Sequence, residues 1–263
     1  MKKFDSCVVW KLEEIDSTNS FLKKALKNNK LDCAAVWSKK QTKGRGRLDR
    51  QWLSPEGGLY FSILAPIDQF EPFLLGISVS VVIVQFLRKI THSKQFFLKW
   101  PNDILYVTNN ALEEKNERKI GGILSELVLH KDGSGHVIVG IGLNINTNID
   151  LNDTEYALPP ISLSQITQKE LPLEGIFDEL QEGIFSQFTP FYDTPTVSLE
   201  HRQKLFEEWQ QFMITKDRKV KVYLPLGKII EGDVVGFSPQ FDLLVDINNN
   251  IQEIKVGDCI HLR

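Results

Sequence analysis

The segment Gln41-Thr42-Lys43-Gly44-Arg45-Gly46-Arg47-Leu48-Asp49-Arg50-Gln51-Trp52 is the most informative part of the chain. From residue 39 to residue 50 there are six Lys or Arg side chains and one Asp, a local charge of +5. Glycine lets backbone N–H groups approach a ligand closely, and guanidinium groups donate paired hydrogen bonds to phosphate or carboxylate. Trp52 adds a face on which a base can stack. The segment predicts a loop that binds an anion, although a solvated basic loop or an RNA-binding segment also fits.

The rest of the composition is ordinary for a globular protein. The 263 residues include 31 Lys and Arg and 34 Asp and Glu, a net charge of −3, and 42% are hydrophobic. This balance argues against a surface devoted to nucleic acid or membrane. The scattered cysteines Cys7, Cys33 and Cys259 suggest neither a disulfide framework nor a metal or redox site, so a cytoplasmic location is expected. The apolar run at 73–84 is too short to span a bilayer and predicts a core helix.

Hydrophobic spacing predicts alternating strands and helices, followed by short strands from about residue 217 that suggest a small β-barrel module. Residues 38–54 are expected to form a long loop, and 108–118 an exposed polar connection. The other predicted elements are a strand at 8–13, a helix after the capping residues 16–19, strands at 33–37 and 59–64, a helix at 71–90, strands at 96–98 and 104–107, a hairpin of 120–129 with 137–145, and helices at 173–188 and 198–213.

Further clusters are weak when each is taken alone. Lys99-Trp100-Pro101-Asn102-Asp103 would present an amide and a carboxylate at a strand end, able to read a base edge and hold hydrated Mg²⁺, or it is simply a turn. Arg118-Lys119-Ile120-Gly121-Gly122 places a lysine beside glycines that leave room for a ligand. Gly140-Ile141-Gly142-Leu143-Asn144-Ile145 lacks the third glycine of a dinucleotide fingerprint. The five histidines have no metal-ligand spacing, so no structural metal is expected.

Taken in order, these motifs resemble those of the biotin-protein ligases. The matching segments are Asp16-Ser17-Thr18-Asn19, the 41–47 loop with Trp52, Lys99-Trp100-Pro101-Asn102-Asp103, Lys119-Ile120-Gly121-Gly122-Ile123-Leu124 and Gly140-Ile141-Gly142-Leu143-Asn144. The resemblance implies an α/β (α+β) mixed-sheet catalytic domain at 1–215, similar to class II aminoacyl-tRNA synthetases, and an SH3-like module at 216–263. Many bacterial members also have an N-terminal repressor domain. Because the first motif here begins at Asp16, a monofunctional type is expected.

The resemblance also implies a two-step reaction. Biotin and Mg·ATP give biotinyl-5′-AMP and pyrophosphate, and the biotinyl group then passes to one lysine of the biotin carboxyl carrier protein of acetyl-CoA carboxylase and related carboxylases. Carboxylate attack on the α-phosphate brings two anions together, and cations with Mg²⁺ can offset that repulsion. No DNA and no membrane is expected as a partner, and the family allows a homodimer.

Site residues are carried over by resemblance, position by position. Lys119, Arg47 and Arg45 are the expected catalytic residues, and Asp103 is the candidate Mg²⁺ ligand. Biotin is expected to contact Ser17, Thr18, Asn19, Gln41, Arg45, Gly46, Arg47 and Lys119. ATP and the adenylate are expected to contact Gly44, Arg47, Arg50, Trp52, Asn102, Asp103 and Asn144. The stretch between Asp103 and Lys119 is longer and more acidic than in many members, which is the main departure from the pattern.

Three alternative functions share some of these sequence features. An enzyme that transfers lipoate or an octanoyl group would share the fold, but it would need a long apolar slot and no partners for a ureido ring. A non-catalytic nucleic-acid binder would use the +5 loop and would bind in a salt-sensitive way without turning over ATP. A biotin-responsive repressor would need a DNA-reading domain, which does not fit ahead of Asp16.

Overall fold

A computed structural model describes residues 7–28, 31–48, 50–67, 72–108, 116–131, 134–148, 158–192 and 199–262. The larger part of the chain alternates strands and helices, as the spacing predicts. Its elements are β1 (Val8–Ile15), α1 (Thr18–Asn28), β2 (Ala34–Gln41), β3 (Leu59–Pro66), α2 (Pro72–Thr91), β4 (Phe96–Lys99), β5 (Asp103–Val107), β6 (Glu117–Leu129), β7 (Gly135–Leu143), α3 (Leu163–Thr167), α4 (Leu173–Tyr192) and α5 (Leu199–Phe212).

Seven strands form one mixed sheet in the order β1-β2-β3-β7-β6-β5-β4. β1 and β2 are parallel, because α1 carries the chain back between them, and the other neighbours are antiparallel. The predicted hairpin is confirmed as β6 and β7, in a register that places Gly122 opposite Gly142 and Leu124 opposite Gly140. This register brings glycines together on one face of the sheet.

Helices cover both faces of the sheet. α1 buries Leu22 and Leu26 against one face, while α2 and α4 pack on the other around the main core. β3 is buried along its whole length, as expected for a central strand covered on both sides. The structure therefore has the predicted α/β class.

The core-helix prediction at 71–90 is confirmed in α2, whose bounds differ by one residue at each end. α2 has 20 residues and is long and apolar enough, by length and composition alone, to cross a membrane, although 56% of its most apolar window is buried within the fold. Its buried residues, among them Leu75, Val79 and Ile83, belong to the main core.

The last part of the described chain is a five-stranded antiparallel sheet in the order β11-β10-β9-β8-β12. Its strands are β8 (Lys219–Tyr223), β9 (Ile229–Phe237), β10 (Leu243–Asp246), β11 (Ile251–Ile254) and β12 (Asp258–His261), and we call it the C-terminal module. α5 packs Trp209 against Phe237 and Phe241, with ring centroids 4.8 and 5.2 Å away. The domain boundary near residue 216 stays a prediction.

Three local expectations need correction. Residues 38–41 belong to β2, so the predicted loop begins only at Thr42. The short helix α3, capped by Ser162, was not predicted. Of the predicted polar connection, residues 109–115 lie outside the described residues, while Glu117 and Arg118 belong to β6.

The cysteine pattern suggested no disulfide framework, but the structure contains one disulfide. Cys7 and Cys33 are bonded, with their Cα atoms 5.0 Å apart. They directly precede Val8 and Ala34, which are register partners in the parallel β1–β2 pair. Their proximity follows from strand pairing, which an odd count of scattered cysteines does not reveal. Cys259 is buried and free. The cytoplasmic location, which rested on cysteine usage, stays a prediction.

Candidate functional site

A pocket opens where the 42–54 loop crosses the start of α1 and the glycine face of β6 and β7. Nearly every predicted site residue lines it; Gly44 and Asn144 do not. The lining residues are Ser17, Thr18, Asn19, Gln41, Arg45, Gly46, Arg47, Leu48, Arg50, Gln51, Trp52, Asn102, Asp103, Lys119, Gly122, Ile123, Leu124, Gly140, Ile141, Gly142 and Asp258. The structure thus brings together residues that are up to about 240 positions apart in sequence.

A hydrogen-bonded network forms the floor of the pocket, around the buried start of α1. The Thr18 backbone N–H donates to Gln41 Oε1 at 2.9 Å, and Gln41 Nε2 donates to Ser54 Oγ at 2.9 Å. The buried Ser62 hydroxyl lies 2.6 Å from Asn19 Oδ1 and 2.7 Å from Thr18 Oγ1. Because each polar group is held by another, the floor presents donors and acceptors in fixed directions.

Two glycines of β7 make room for this arrangement. A Cβ atom on Gly140 would lie 2.2 Å from Asn19 Oδ1, and one on Gly142 would lie 2.6 Å from Trp52 Nε1. Both distances are too short for any larger residue without movement of its neighbour. The Gly-Ile-Gly sequence, which failed as a dinucleotide fingerprint, therefore serves to seat Asn19 and Trp52.

The loop itself folds as a tight hairpin over the pocket. The Gly46 N–H donates to Arg50 O at 2.7 Å, and the Trp52 N–H donates to Gly44 O at 3.0 Å. Gly44 is buried under the loop, where a Cβ would lie 2.4 Å from Trp52 O. Gly44 thus shapes the loop and lies outside the pocket lining.

Lys119 and Asp103 form an ion pair at one end of the pocket. Their Nζ and Oδ1 atoms are 2.6 Å apart, and Lys99 Nζ lies 3.8 Å from Asp103 Oδ2. Burial alone would raise the pKa of Asp103, but the two lysines outweigh it and hold the pKa below its ordinary value. Asn144 Nδ2 donates to Lys119 O at 3.3 Å, so this predicted ligand residue supports the lysine backbone.

The Trp52 ring lies between the glycine face and Lys119. Lys119 Nζ is 5.2 Å from the ring centroid, a distance suited to a cation–π contact. Trp52 Nε1 is buried and has no hydrogen-bond partner among the residues that the structure describes. A buried donor without a partner carries a free-energy cost that a ligand acceptor can remove.

Three consecutive residues of the C-terminal module contact basic residues at or beside the pocket, and one of them, Asp258, lines it. Arg47 Nη1 donates to Gly257 O at 3.1 Å. Arg50 forms an ion pair with Asp258, and Lys99 Nζ donates to Cys259 O. Three basic residues of the site are therefore held by one short segment, residues 257–259.

Fewer of the basic residues at 39–50 face the pocket than the sequence suggested. Lys39 and Lys40 belong to β2 and pair with Glu13 and Glu14 of β1, at 2.8 and 2.9 Å. These two lysines therefore do not serve the pocket. The arginines at the pocket are also paired, since Arg45 meets a glutamate of β6 and Arg50 meets Asp258.

Sequence reasoning did not single out Ser62, Glu126 or Asp258, which contact residues of the pocket. Glu126 accepts from Arg45 Nη2 and Asn19 Nδ2, both at 2.7 Å. The strand alternation that puts Gly122 and Leu124 in the pocket lining also puts Glu126 on their face, so a signal was present. Ser62 and Asp258 had no comparable signal, because their contacts depend on how distant elements pack.

The role of Asp103 as a Mg²⁺ ligand stays a prediction. Mg²⁺ prefers oxygen ligands, yet the Asp103 carboxylate is already paired with Lys119 and faces Lys99 and Arg47. In the part of the chain that the structure describes, no group of three or more His, Cys, Asp or Glu residues could hold a metal ion.

Comparison with known proteins gives consistent matches. The model of the Biotin/lipoate A/B protein ligase family matches residues 12–144. The bifunctional ligase/repressor BirA of Bacillus spizizenii is 33% identical over 251 residues, which cover 93% of this chain and 71% of that protein. The human biotin–protein ligase is 30% identical over 177 residues, covering 60% of this chain and 23% of that protein.

Solved structures show the same relation. The biotin protein ligase of Aquifex aeolicus, in complex with biotin and ATP, superposes with a TM-score of 0.77 and 31% identity, covering 97% of this chain and 99% of that one. The enzyme of Leishmania major with biotinyl-5-AMP has the same fold, with a TM-score of 0.61 and 22% identity over 97% of this chain and 98% of that one.

Proposed function

The chain belongs to the biotin/lipoate A/B protein ligase family, and we propose that it attaches biotin to protein in two steps. In the first step, ATP activates biotin as biotinyl-5′-AMP with release of pyrophosphate. In the second, the biotinyl group passes to a lysine ε-amine of a biotin carboxyl carrier protein. The observation that carries this proposal is one pocket in which a network of fixed hydrogen-bonding groups ends beside Lys119 and Arg47.

The polar floor suits the fused ring of biotin. A buried ureido group needs partners for its N–H groups and its carbonyl, since an unpaired buried polar group is costly. Ser17, Thr18, Asn19 and Gln41 offer donors and acceptors within one small area of the pocket lining. A lipoyl or octanoyl chain has no such groups to satisfy, which favours biotin over the lipoate alternative.

Lys119 and Arg47 suit the activation step. The reaction brings the biotin carboxylate against the α-phosphate, so positive charge near the reacting atoms lowers the barrier. Lys119 is held by Asp103 and by the Trp52 ring, and Arg47 is held by Gly257 O, so both cations are oriented before a ligand arrives. In this proposal Asp103 positions Lys119, and Mg²⁺ enters with ATP as part of the substrate.

In this proposal the nucleotide binds beside Trp52, Asn102 and Arg50. Trp52 supplies a ring face and an unpaired Nε1 donor, and Arg50 lies at the rim next to Asp258. Asn102 is fixed by its Nδ2 bond to Ile123 O at 2.8 Å. Arg50 and Trp52 belong to the 42–54 loop, which in this proposal shields a reactive adenylate from water.

The paired arginines count against the nucleic-acid alternative. Arg45, Arg47 and Arg50 line the pocket and contact protein groups of the site, so few loop cations are left to face a polyanion. Binding of RNA or DNA in a salt-sensitive way, with no ATP turnover, would support that alternative instead.

The decisive experiment measures both steps. The purified protein is assayed for biotin-dependent exchange between ATP and pyrophosphate, and then for transfer of labelled biotin to an apo carrier domain. A carrier with its target lysine changed to Arg is the control for transfer. Exchange with lipoate and none with biotin would redirect the assignment to lipoylation, and failure of both steps with folded protein would refute a ligase.

A further inference from the structure

Glu126 lies behind the pocket and ties two of its walls together. Its carboxylate accepts hydrogen bonds from Arg45 of the loop and from Asn19 of α1, both at 2.7 Å. A third partner, Lys23, lies at 2.6 Å on the other carboxylate oxygen. The Glu126 side chain is only 18% exposed, and Glu126 is not among the residues that line the pocket.

The contact with Asn19 fixes the direction of that amide. Asn19 Oδ1 faces the Ser62 hydroxyl at 2.6 Å, and Asn19 Nδ2 donates to Glu126. A carboxylate accepts and cannot donate, so only one of the two amide orientations satisfies both neighbours. Replacing the carboxylate by an amide leaves only the longer bond from Asn19 Nδ2 to Leu124 O, at 3.3 Å, to favour this orientation.

The contact with Arg45 fixes the loop. The Arg45 side chain is 41% exposed and its guanidinium forms an ion pair with Glu126, whereas Asn19 is buried in the floor of the pocket. The Glu126 carboxylate therefore orients both Arg45 of the loop and Asn19 of the pocket floor. The bond between Arg45 and Glu126 joins two charged groups, which makes it shorter and stronger than a neutral hydrogen bond.

We propose that Glu126 is a positioning residue for biotin, acting through Arg45 and Asn19 to align the loop with the floor. The inference rests on the proposed function, because it takes biotin as the ligand of this floor. Lys23 contributes charge to the same cluster but lies outside the pocket lining. Lys23 offsets the negative charge of Glu126, and Glu126 aligns the loop with the floor.

The experiment compares Glu126→Gln with Glu174→Gln. Glu174 forms an exposed ion pair with Lys11 at 2.8 Å, so its variant removes one charge pair far from the pocket. We expect Glu126→Gln to raise the KM for biotin in pyrophosphate exchange by at least about tenfold, because an aligned pair of ligand-facing groups is lost. The kcat and the KM for ATP should change less than about threefold, and Glu174→Gln should match the wild type.

A double-variant cycle separates positioning from a general structural effect. If Glu126 acts through Arg45, the effect of Glu126→Gln should shrink at least about threefold in an Arg45→Ala background. Glu126→Asp, which keeps the charge on a shorter side chain, should give a smaller rise in KM and serves if the Gln variant folds poorly. A wild-type KM for biotin in both Glu126→Gln and Glu126→Asp would overturn the inference. So would effects of Glu126→Gln and Arg45→Ala that are fully additive. Absence of exchange in the wild type would instead refute the proposed function.

Discussion

Replacing Gly140 by Ala tests how the pocket floor is built. The added Cβ would lie 2.2 Å from Asn19 Oδ1 and 2.9 Å from its Cγ, closer than real Cβ contacts come. Asn19 is 3% exposed and hydrogen-bonded to Ser62 and Glu126, so it has little freedom to give way. We expect the amide to move by about an ångström, which breaks its alignment.

The size of the effect follows from this displacement. Overpacking a buried site by one methyl group costs about 1–3 kcal/mol, which for a chain of this length lowers Tm by roughly 2–12 °C. A misplacement of about 1 Å in a binding group can cost up to about 100-fold. We therefore expect the KM for biotin to rise roughly 10- to 100-fold, equivalent to about 1.4–2.8 kcal/mol.

The assay pairs biotin-dependent pyrophosphate exchange with thermal unfolding, and the control is Gly183→Ala. Gly183 lies within α4, where an added Cβ would be 3.7 Å from Val82 Cγ1, an ordinary contact. That variant should keep the wild-type KM and gain up to about 1 kcal/mol of stability from helix propensity. A Gly140→Ala protein with wild-type KM and Tm would refute the close approach of Asn19 to β7.

Three further predictions concern the cations, an acidic group and the disulfide. Lys119→Ala and Arg47→Ala should remain folded by circular dichroism but slow pyrophosphate exchange by at least about 100-fold, and wild-type rates would contradict their roles. Burial opposes ionisation of Glu117, but a histidine and an arginine of the C-terminal part outweigh it and lower its pKa below the ordinary 4.5. Its contribution to stability is therefore present above about pH 4.5 and lost as pH falls through the lowered pKa; urea titrations should show a smaller acid loss in Glu117→Gln, and an unchanged loss would count against the pair. Reducing Cys7–Cys33, which closes a separation of 26 residues, should lower the free energy of unfolding by about 3.5 kcal/mol, and Cys7→Ser should be insensitive to reductant. Equal stability with and without reductant would contradict this.

Local patterns predicted the elements that depend on nearby residues. The hairpin of β6 and β7 follows from two apolar runs around a turn, and α1 begins where Asp16 and Ser17 offer caps. The run of short strands after residue 217 likewise identified the C-terminal module. The order of the motifs along the chain, and not the composition, predicted most of the residues that line the pocket.

Other features could not be predicted because they depend on register or on distant packing. Arg50 and Asp258 are 208 positions apart, and only the docking of the module brings them together. The disulfide depends on the pairing of Val8 with Ala34, which no cysteine count contains. Lys39 and Lys40 added to the apparent charge of the loop, but the parallel pairing of β1 and β2 gives both to surface glutamates.

The contact of the C-terminal module with the loop arginines sets up a thermodynamic competition. Asp258 and Gly257 occupy the guanidinium groups that an anionic nucleotide would also seek. By thermodynamic linkage, if nucleotide binding weakens these contacts by some factor, the contacts weaken nucleotide binding by the same factor. Under the proposed function, nucleotide binding and the docking of the module are therefore coupled, and a variant that loosens the docking should strengthen nucleotide affinity.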